Sequence, residues 1–225
     1  MKTFHELQEG LYDPNIFKAF FLAGGPGSGK SYVARKATGG TGLKSVNSDD
    51  AFEHMLKQAG LSLKMPPEET EPRDVVRGKA KNITTRMEKN FIEGRLGLII
   101  DGTGRDVDKI LGQKAKLDEL GYDTYMIFVN TSLDVALQRN AERARSVAEP
   151  IVVKSWKDVQ NNIGKFSNIF RAGFIVVDNN DAGEDVFDQV WKRVKSLLRK
   201  KVKNTRAKNW MASELAKRQR KSTII

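Results

Sequence analysis

The residues best suited to chemistry lie in the run GGPGSGKS, where Gly24, Gly29, Lys30 and Ser31 set the spacing G-x-x-x-x-G-K-[ST]. That spacing is the Walker A phosphate-binding loop. Glycines let the backbone wrap a phosphate chain with successive N–H groups pointing inward. A helix starting at the end of the loop adds the partial positive charge of its first turn. In this reading Gly25, Pro26, Gly27, Ser28, Gly29, Lys30, Ser31 and Tyr32 embrace the phosphates of a nucleotide. Lys30 reaches the β- and γ-phosphates, and the Ser31 hydroxyl ligates Mg²⁺.

Three further clusters could complete a phosphoryl-transfer site. Asp49, in NSDD just past the second apolar run, can face the γ-phosphate and accept a proton from an attacking hydroxyl. Ser48, Asp49 and Asp50 are all equally competent to cap a helix. Asp101 ends the apolar run LGLIID, the position of a carboxylate that holds Mg²⁺ or its waters. Thr103 and Arg105 follow in a turn that opens onto the same edge, where they can contact an acceptor; turn formation or capping is the plainer role for Thr103. Arg139, Arg143 and Arg145 fall on one helical pattern, with Arg139 and Arg143 at i, i+4, and can stabilise charge on the transferring phosphoryl group. A solvated helix face would read much the same.

The elements that must position these groups follow from alternating apolar runs and helical patterns, the mark of an α/β chain with a parallel sheet. Strands are expected at 17–23, 43–46, in LGLIID, at 125–129 and in GFIVVD. Helices are expected from Ser28, over 51–59, 74–93 and 107–120, from Ser132 to about Arg145, over 156–170 and over 184–202. The segment LSLKMPPEETEPR, with Pro66, Pro67 and Pro72, reads as loop. Five strands with helical crossovers give a doubly wound parallel sheet, whose ligands sit beyond the carboxyl ends of the strands. All the polar clusters above fall there.

Composition narrows the classes. The 225 residues contain no cysteine and two histidines, His5 and His54, which excludes disulfides, thiolate metal sites and a histidine-based metal centre. No apolar run approaches a membrane span, and MKTFHELQEG lacks a signal core, so a cytoplasmic protein is expected. The net charge of +11 is concentrated at one end: Lys192 to Lys221 holds thirteen Lys/Arg against Glu214 alone. The expected organisation is a catalytic domain over 1–203 and a basic tail over 204–225. That tail either binds nucleic acid or another polyanion, with Trp210 as a stacking residue, or is a solvated, disordered end.

GGPGSGKS, NSDD, LIIDGTGRDVDKILGQKAKLDELGYDTYMIFVN and QRNAERA resemble the small P-loop kinases that include zeta toxins and phage-type polynucleotide kinases. The resemblance covers about residues 17–177. It implies a three-layer P-loop kinase fold with a five-stranded parallel sheet. It also implies ATP and Mg²⁺ at Lys30 and Ser31, Asp49 as the base, and Arg143 in a lid of about residues 139–155. The acceptor it implies is nucleotide-like: a UDP-linked amino sugar, as in zeta toxins, or a polynucleotide 5′-hydroxyl. Zeta toxins usually carry glutamate where this chain has Asp101, and an antitoxin-like partner is left unidentified. The alternative is a nucleic-acid-binding protein that binds or hydrolyses ATP without transferring phosphate, which leaves Asp49 and the arginines without a task.

Overall fold

The computed structural model describes residues 10–64, 66–143 and 147–222. Its centre is β1 (Lys18–Ala23), buried at every position because strands lie on both sides and helices on both faces. The other strands are β2 (Lys44–Val46), β3 (Leu98–Asp101), β4 (Asp123–Asn130) and β5 (Phe174–Asp178). All pair in parallel, in the order β2-β3-β1-β4-β5. The order reverses direction at β1, so a crevice opens beyond its carboxyl end, where the glycine-rich loop begins.

Eight α-helices are described: α1 (Lys30–Thr38), α2 (Ser48–Gln58), α3 (Thr70–Glu93), α4 (Val107–Leu120), α5 (Leu133–Ala141), α6 (Glu149–Phe170), α7 (Glu184–Leu198) and α8 (Thr205–Ser222). The sheet separates two cores. Phe17, Phe21, Met126, Phe128, Phe166 and Phe170 lie in one, and Phe20, Ile127, Val177, Phe187, Val194 and Leu197 in the other. A third, smaller cluster of Phe52, Leu56, Val76 and Ala80 joins α2 to α3. Among the described residues no helix is long and apolar enough to cross a membrane.

Several boundaries differ from expectation, each for a local reason. The α2 helix begins three residues early because Asn47 is its cap: its side chain accepts the Asp49 N–H at 2.8 Å. Ser48, Asp49 and Asp50 therefore lie inside the first turn, and none of them is the cap. The α3 helix begins at Thr70 despite Pro72, since first-turn positions have no intrahelical acceptor for an N–H that proline lacks. A 3₁₀ turn over Pro67–Glu69 leads into it. The α5 helix stops at Ala141, so Arg143 lies in a bend past its end and is not an i, i+4 helical partner of Arg139. Arg145 and the expected lid's residues 144–146 lie outside the described residues, as does His5.

The basic tail differs most. Residues 205–222 form α8, and its Ala207 is fully buried against the body. Trp210 packs edge-on against Phe17 with ring centroids 5.5 Å apart, and Arg95 lies over its ring at 5.5 Å. Trp210 is thus an anchor of the core and not a stacking platform, and the tail is not a solvated end.

Candidate active site

The loop from Gly24 to Gly29 needs its glycines for two distinct reasons. Gly24, Gly27 and Gly29 have φ of 153°, 76° and 79°, which L side chains rarely adopt. Space is the second reason. A Cβ on Gly27 would stand 2.0 Å from the Ala136 carbonyl oxygen, and one on Gly29 would stand 2.4 Å from the Asn179 side-chain nitrogen. The loop is therefore wedged between α5 and the end of β5.

Two amides fix the surrounding turns. Asn179, buried at the end of β5, donates to the Ser28 carbonyl at 2.8 Å. The carbonyl and N–H of a trans peptide point in opposite directions. Holding the Ser28 carbonyl outward therefore turns the Gly29 N–H toward the inside of the loop. On the other flank Gly24 N–H donates to the Thr103 carbonyl at 2.9 Å. Asn162 of α6 donates to the Gly104 and Arg105 carbonyls at 3.0 and 2.8 Å. The phosphate loop and the DGTGR turn are thus tied together beyond the carboxyl ends of β1 and β3.

Lys30 opens α1, and its ammonium stands 3.9 Å from Asp101 Oδ1, both side chains being largely shielded from solvent. That oxygen is buried with no hydrogen-bond partner. Burial pushes the Asp101 carboxyl above the usual carboxylate range, Lys30 opposes the rise, and the negative charges of Asp49 and Asp50 add to it. The expected group is therefore brought together: Lys30, Asp101, Asp49 and Asp50 share one electrostatic neighbourhood, and Ser31 is exposed beside Lys30. A buried, partnerless carboxylate oxygen facing an ammonium fits a site for a phosphate-bound divalent cation. Among the described residues no three His, Asp or Glu side chains gather to hold a metal by themselves. A cation bound here would draw its other ligands from phosphates and water, as Mg²⁺ does at nucleotide sites.

Thr103 and Arg105 are exposed on this edge. The Thr103 hydroxyl accepts the Arg105 N–H at 3.5 Å, a long contact within the turn, while the cap of α4 is Asp106, which accepts from Lys109 at 2.9 Å. Arg139 has a different setting from the one expected. Its guanidinium donates to the Asn179 and Asn180 carbonyls at 2.6 and 3.0 Å. With Gly29, Tyr32, Asn179, Ala182 and Phe187 it lines a cavity of about 280 Å³ outside the loop. Tyr32 forms one wall, edge-on to Phe187 at 5.2 Å. Arg143 is exposed in the α5–α6 connection. That connection is closed by Asn140, whose buried amide donates to the Val147 carbonyl at 2.7 Å and accepts its N–H at 3.0 Å.

The profile of the zeta toxin family matches residues 13–190, which spans β1, the phosphate loop, Asp49, Asp101 and the α5–α6 connection. This chain belongs to the zeta toxin family. The member described here finds no match among curated proteins. Among solved structures it is similar to a candidate kinase from Chloroflexus aurantiacus, with a TM-score of 0.51 and 16% identity over 80% of this chain and 98% of that one. It is also similar to the Pnkp1/Rnl/Hen1 RNA repair complex, with a TM-score of 0.51 and 22% identity over 68% of this chain and 47% of that one. Identities this low speak for the fold, which is that of the P-loop kinases. The zeta toxin membership and that fold agree on a phosphotransferase built on a nucleotide-binding loop.

Proposed function

We propose that this zeta toxin family member transfers the γ-phosphoryl group of ATP to a hydroxyl of a nucleotide-like acceptor. The observation that carries the reading is the placement of Lys30 and the partnerless Asp101 oxygen 3.9 Å apart at the mouth of the glycine loop, within the field of Asp49. Inward-facing N–H groups of the loop, the first turn of α1 and the Lys30 ammonium bind and orient the β- and γ-phosphates. Ser31 and Asp101 would hold Mg²⁺, which neutralises charge on those phosphates. Asp49, exposed on the first turn of α2, takes the proton of the acceptor hydroxyl as the new P–O bond forms and the bond from the γ-phosphorus to the bridging oxygen breaks, with ADP leaving. Thr103 and Arg105, exposed on the same edge, contact the acceptor. Arg143, exposed past the end of α5, stabilises charge on the transferring group, a planar fork matched to phosphate oxygens. The cavity beside Gly29, with Tyr32 and Arg139, receives the nucleoside end of ATP.

The test is incubation with γ-labelled ATP, Mg²⁺ and three acceptor classes: UDP-linked amino sugars, nucleosides and 5′-hydroxyl oligonucleotides. Label is expected on one acceptor class, with Lys30→Ala abolishing transfer while remaining folded. Label released only as free phosphate would replace the kinase reading with ATP hydrolysis.

A further inference from the structure

The basic segment is not used by the phosphotransfer site, and its place in the fold gives it a separate role. Helix α7 descends beside α1, with Phe187 on Tyr32 near the loop and Trp191 donating to the Gly39 carbonyl past the end of α1. It therefore ends at the amino-terminal edge of the sheet. Helix α8 then crosses that edge. Ala207 meets Gly121, which precedes β4; Trp210 meets Phe17, which precedes β1; and Arg218 lies 4.8 Å over the Tyr12 ring. The six residues of β1 separate this edge from the phosphate loop, about 20 Å at strand rise.

The exposed charge from Arg199 to Arg220 is predominantly basic, with Glu214 the acid in that span and exposed Glu119 beside Arg206. Arg199, Lys200, Lys201, Lys203, Lys208 and Arg220 are all exposed. Among the described residues the ion pair recorded within the strip is Lys217 with Glu214. The nearby acids Asp118 and Asp123 are already matched by Lys114 and Lys18. A helix that lies on a lipid surface needs an apolar face free to enter it. Here Trp210 and Met211 are turned into the core, and Leu215 is the large apolar side chain of α8 left exposed. With Trp210 committed inward, α8 also lacks an aromatic surface on which unpaired bases could stack.

We propose that the strip from Arg199 to Arg220 binds the phosphate backbone of a nucleic-acid duplex, as a tether at the opposite end of the sheet from the catalytic edge. Bound there, a duplex would leave the acceptor site open. The test measures fluorescence anisotropy of a labelled DNA duplex of about 20 bp with the full chain, between about 50 and 200 mM salt. Binding is expected, weakening steeply with salt and tighter than for a single strand of the same length. The triple variant Lys200→Glu, Lys208→Glu, Arg220→Glu is expected to weaken it at least about tenfold and to lower the salt slope by about 2–3, at roughly 0.9 per lost phosphate contact. Melting temperature and ATP turnover are expected to stay as in the parent. If charge reversal lowers the melting temperature, the corresponding triple glutamine variant takes its place. Absence of duplex binding at low salt, equal binding by the variant, or preferential binding to phosphatidylserine vesicles would each overturn the proposal.

Discussion

Asp49 and Asn47 are two residues apart and do separable work. Asn47 caps α2, so Asn47→Ala is expected to cost about 1 kcal/mol of stability, the usual value of a lost cap, in urea melts. Asp49→Asn leaves that cap intact. It is expected to keep ATP binding and stability while losing about 10²–10⁴-fold in transfer, because an amide cannot take the hydroxyl proton. A normal rate in Asp49→Asn would assign the base to another group. Asp101 carries the opposite balance. Its carboxyl is raised by burial, so only between the ordinary and the raised value does the folded chain hold a proton that the unfolded chain has released. Its ionisation therefore costs stability progressively as pH rises from the ordinary carboxylate range, about 3.9, through the raised folded value. Asp101→Asn removes that cost. Thermal melts at about pH 8 are expected to be higher than in the parent, with the gap closing in acid. Turnover is expected to be lost. Lys30, Ser31, Asp49 and Asp101 were legible in the sequence because each sits at a fixed distance from a strand end. Asn162 and Asn179 were not: a single asparagine that grips a carbonyl 57 or 151 positions away leaves no local pattern. The hint for Asn179 is the Asn179-Asn180 pair that directly follows GFIVVD.

The elements were legible where hydrophobic period and punctuation agree. Helix α4 runs over Val107–Leu120 and ends on Gly121 at φ 97°, and the five strands fall where the apolar runs lie. Helix ends failed where a cap or proline was read too simply. Pro72 marked a loop in the sequence, yet proline costs a first turn nothing, and the helix around it starts at Thr70. Arg139 and Arg143 suggested one face of one helix, yet α5 ends at Ala141 and Asn140 folds back onto Val147. The contact between β5 and the phosphate loop gives the element-scale prediction. Asn179→Ala removes the donor that orients the Ser28–Gly29 peptide and leaves a buried carbonyl unpaired, at about 1–3 kcal/mol. ATP affinity is expected to fall more than acceptor affinity, read as a rise in KM for ATP. An unchanged KM for ATP would mean that the loop holds its shape unaided.

At the scale of the whole molecule, sequence charge located the basic tail but could not show that it docks. Ala207, Trp210 and Met211 are too few and too widely spaced to read as an amphipathic stripe. Trp210→Ala is expected to destabilise the chain by about 2–3 kcal/mol, below the 3–5 of a fully buried tryptophan, and deletion after Asn204 by more. Unchanged melting in both would mean that α8 contributes no packing energy. The third core has a mechanical consequence. Phe52, Leu56, Val76 and Ala80 bind α2 and α3 to each other and not to the sheet, while α3 is moored to the main body lower down by Phe91 and Ile92. The α2–α3 pair is therefore an arm rooted at Asn47 after β2 and at the Phe91 end of α3, with Leu61 and Leu63 of the connection packed onto its own cluster at the far end. Asp49 sits at the first root. From there to Gln58 the arm is about 14 Å at 1.5 Å per residue. A rotation at the root displaces the far end of such an arm more than it displaces Asp49, by simple leverage. Amide hydrogen exchange should accordingly be faster in residues 51–64 than in β1 or α6. In such an arrangement α2 and α3 can shift together as one unit relative to the sheet, while Asn47 anchors the end of the arm that carries Asp49.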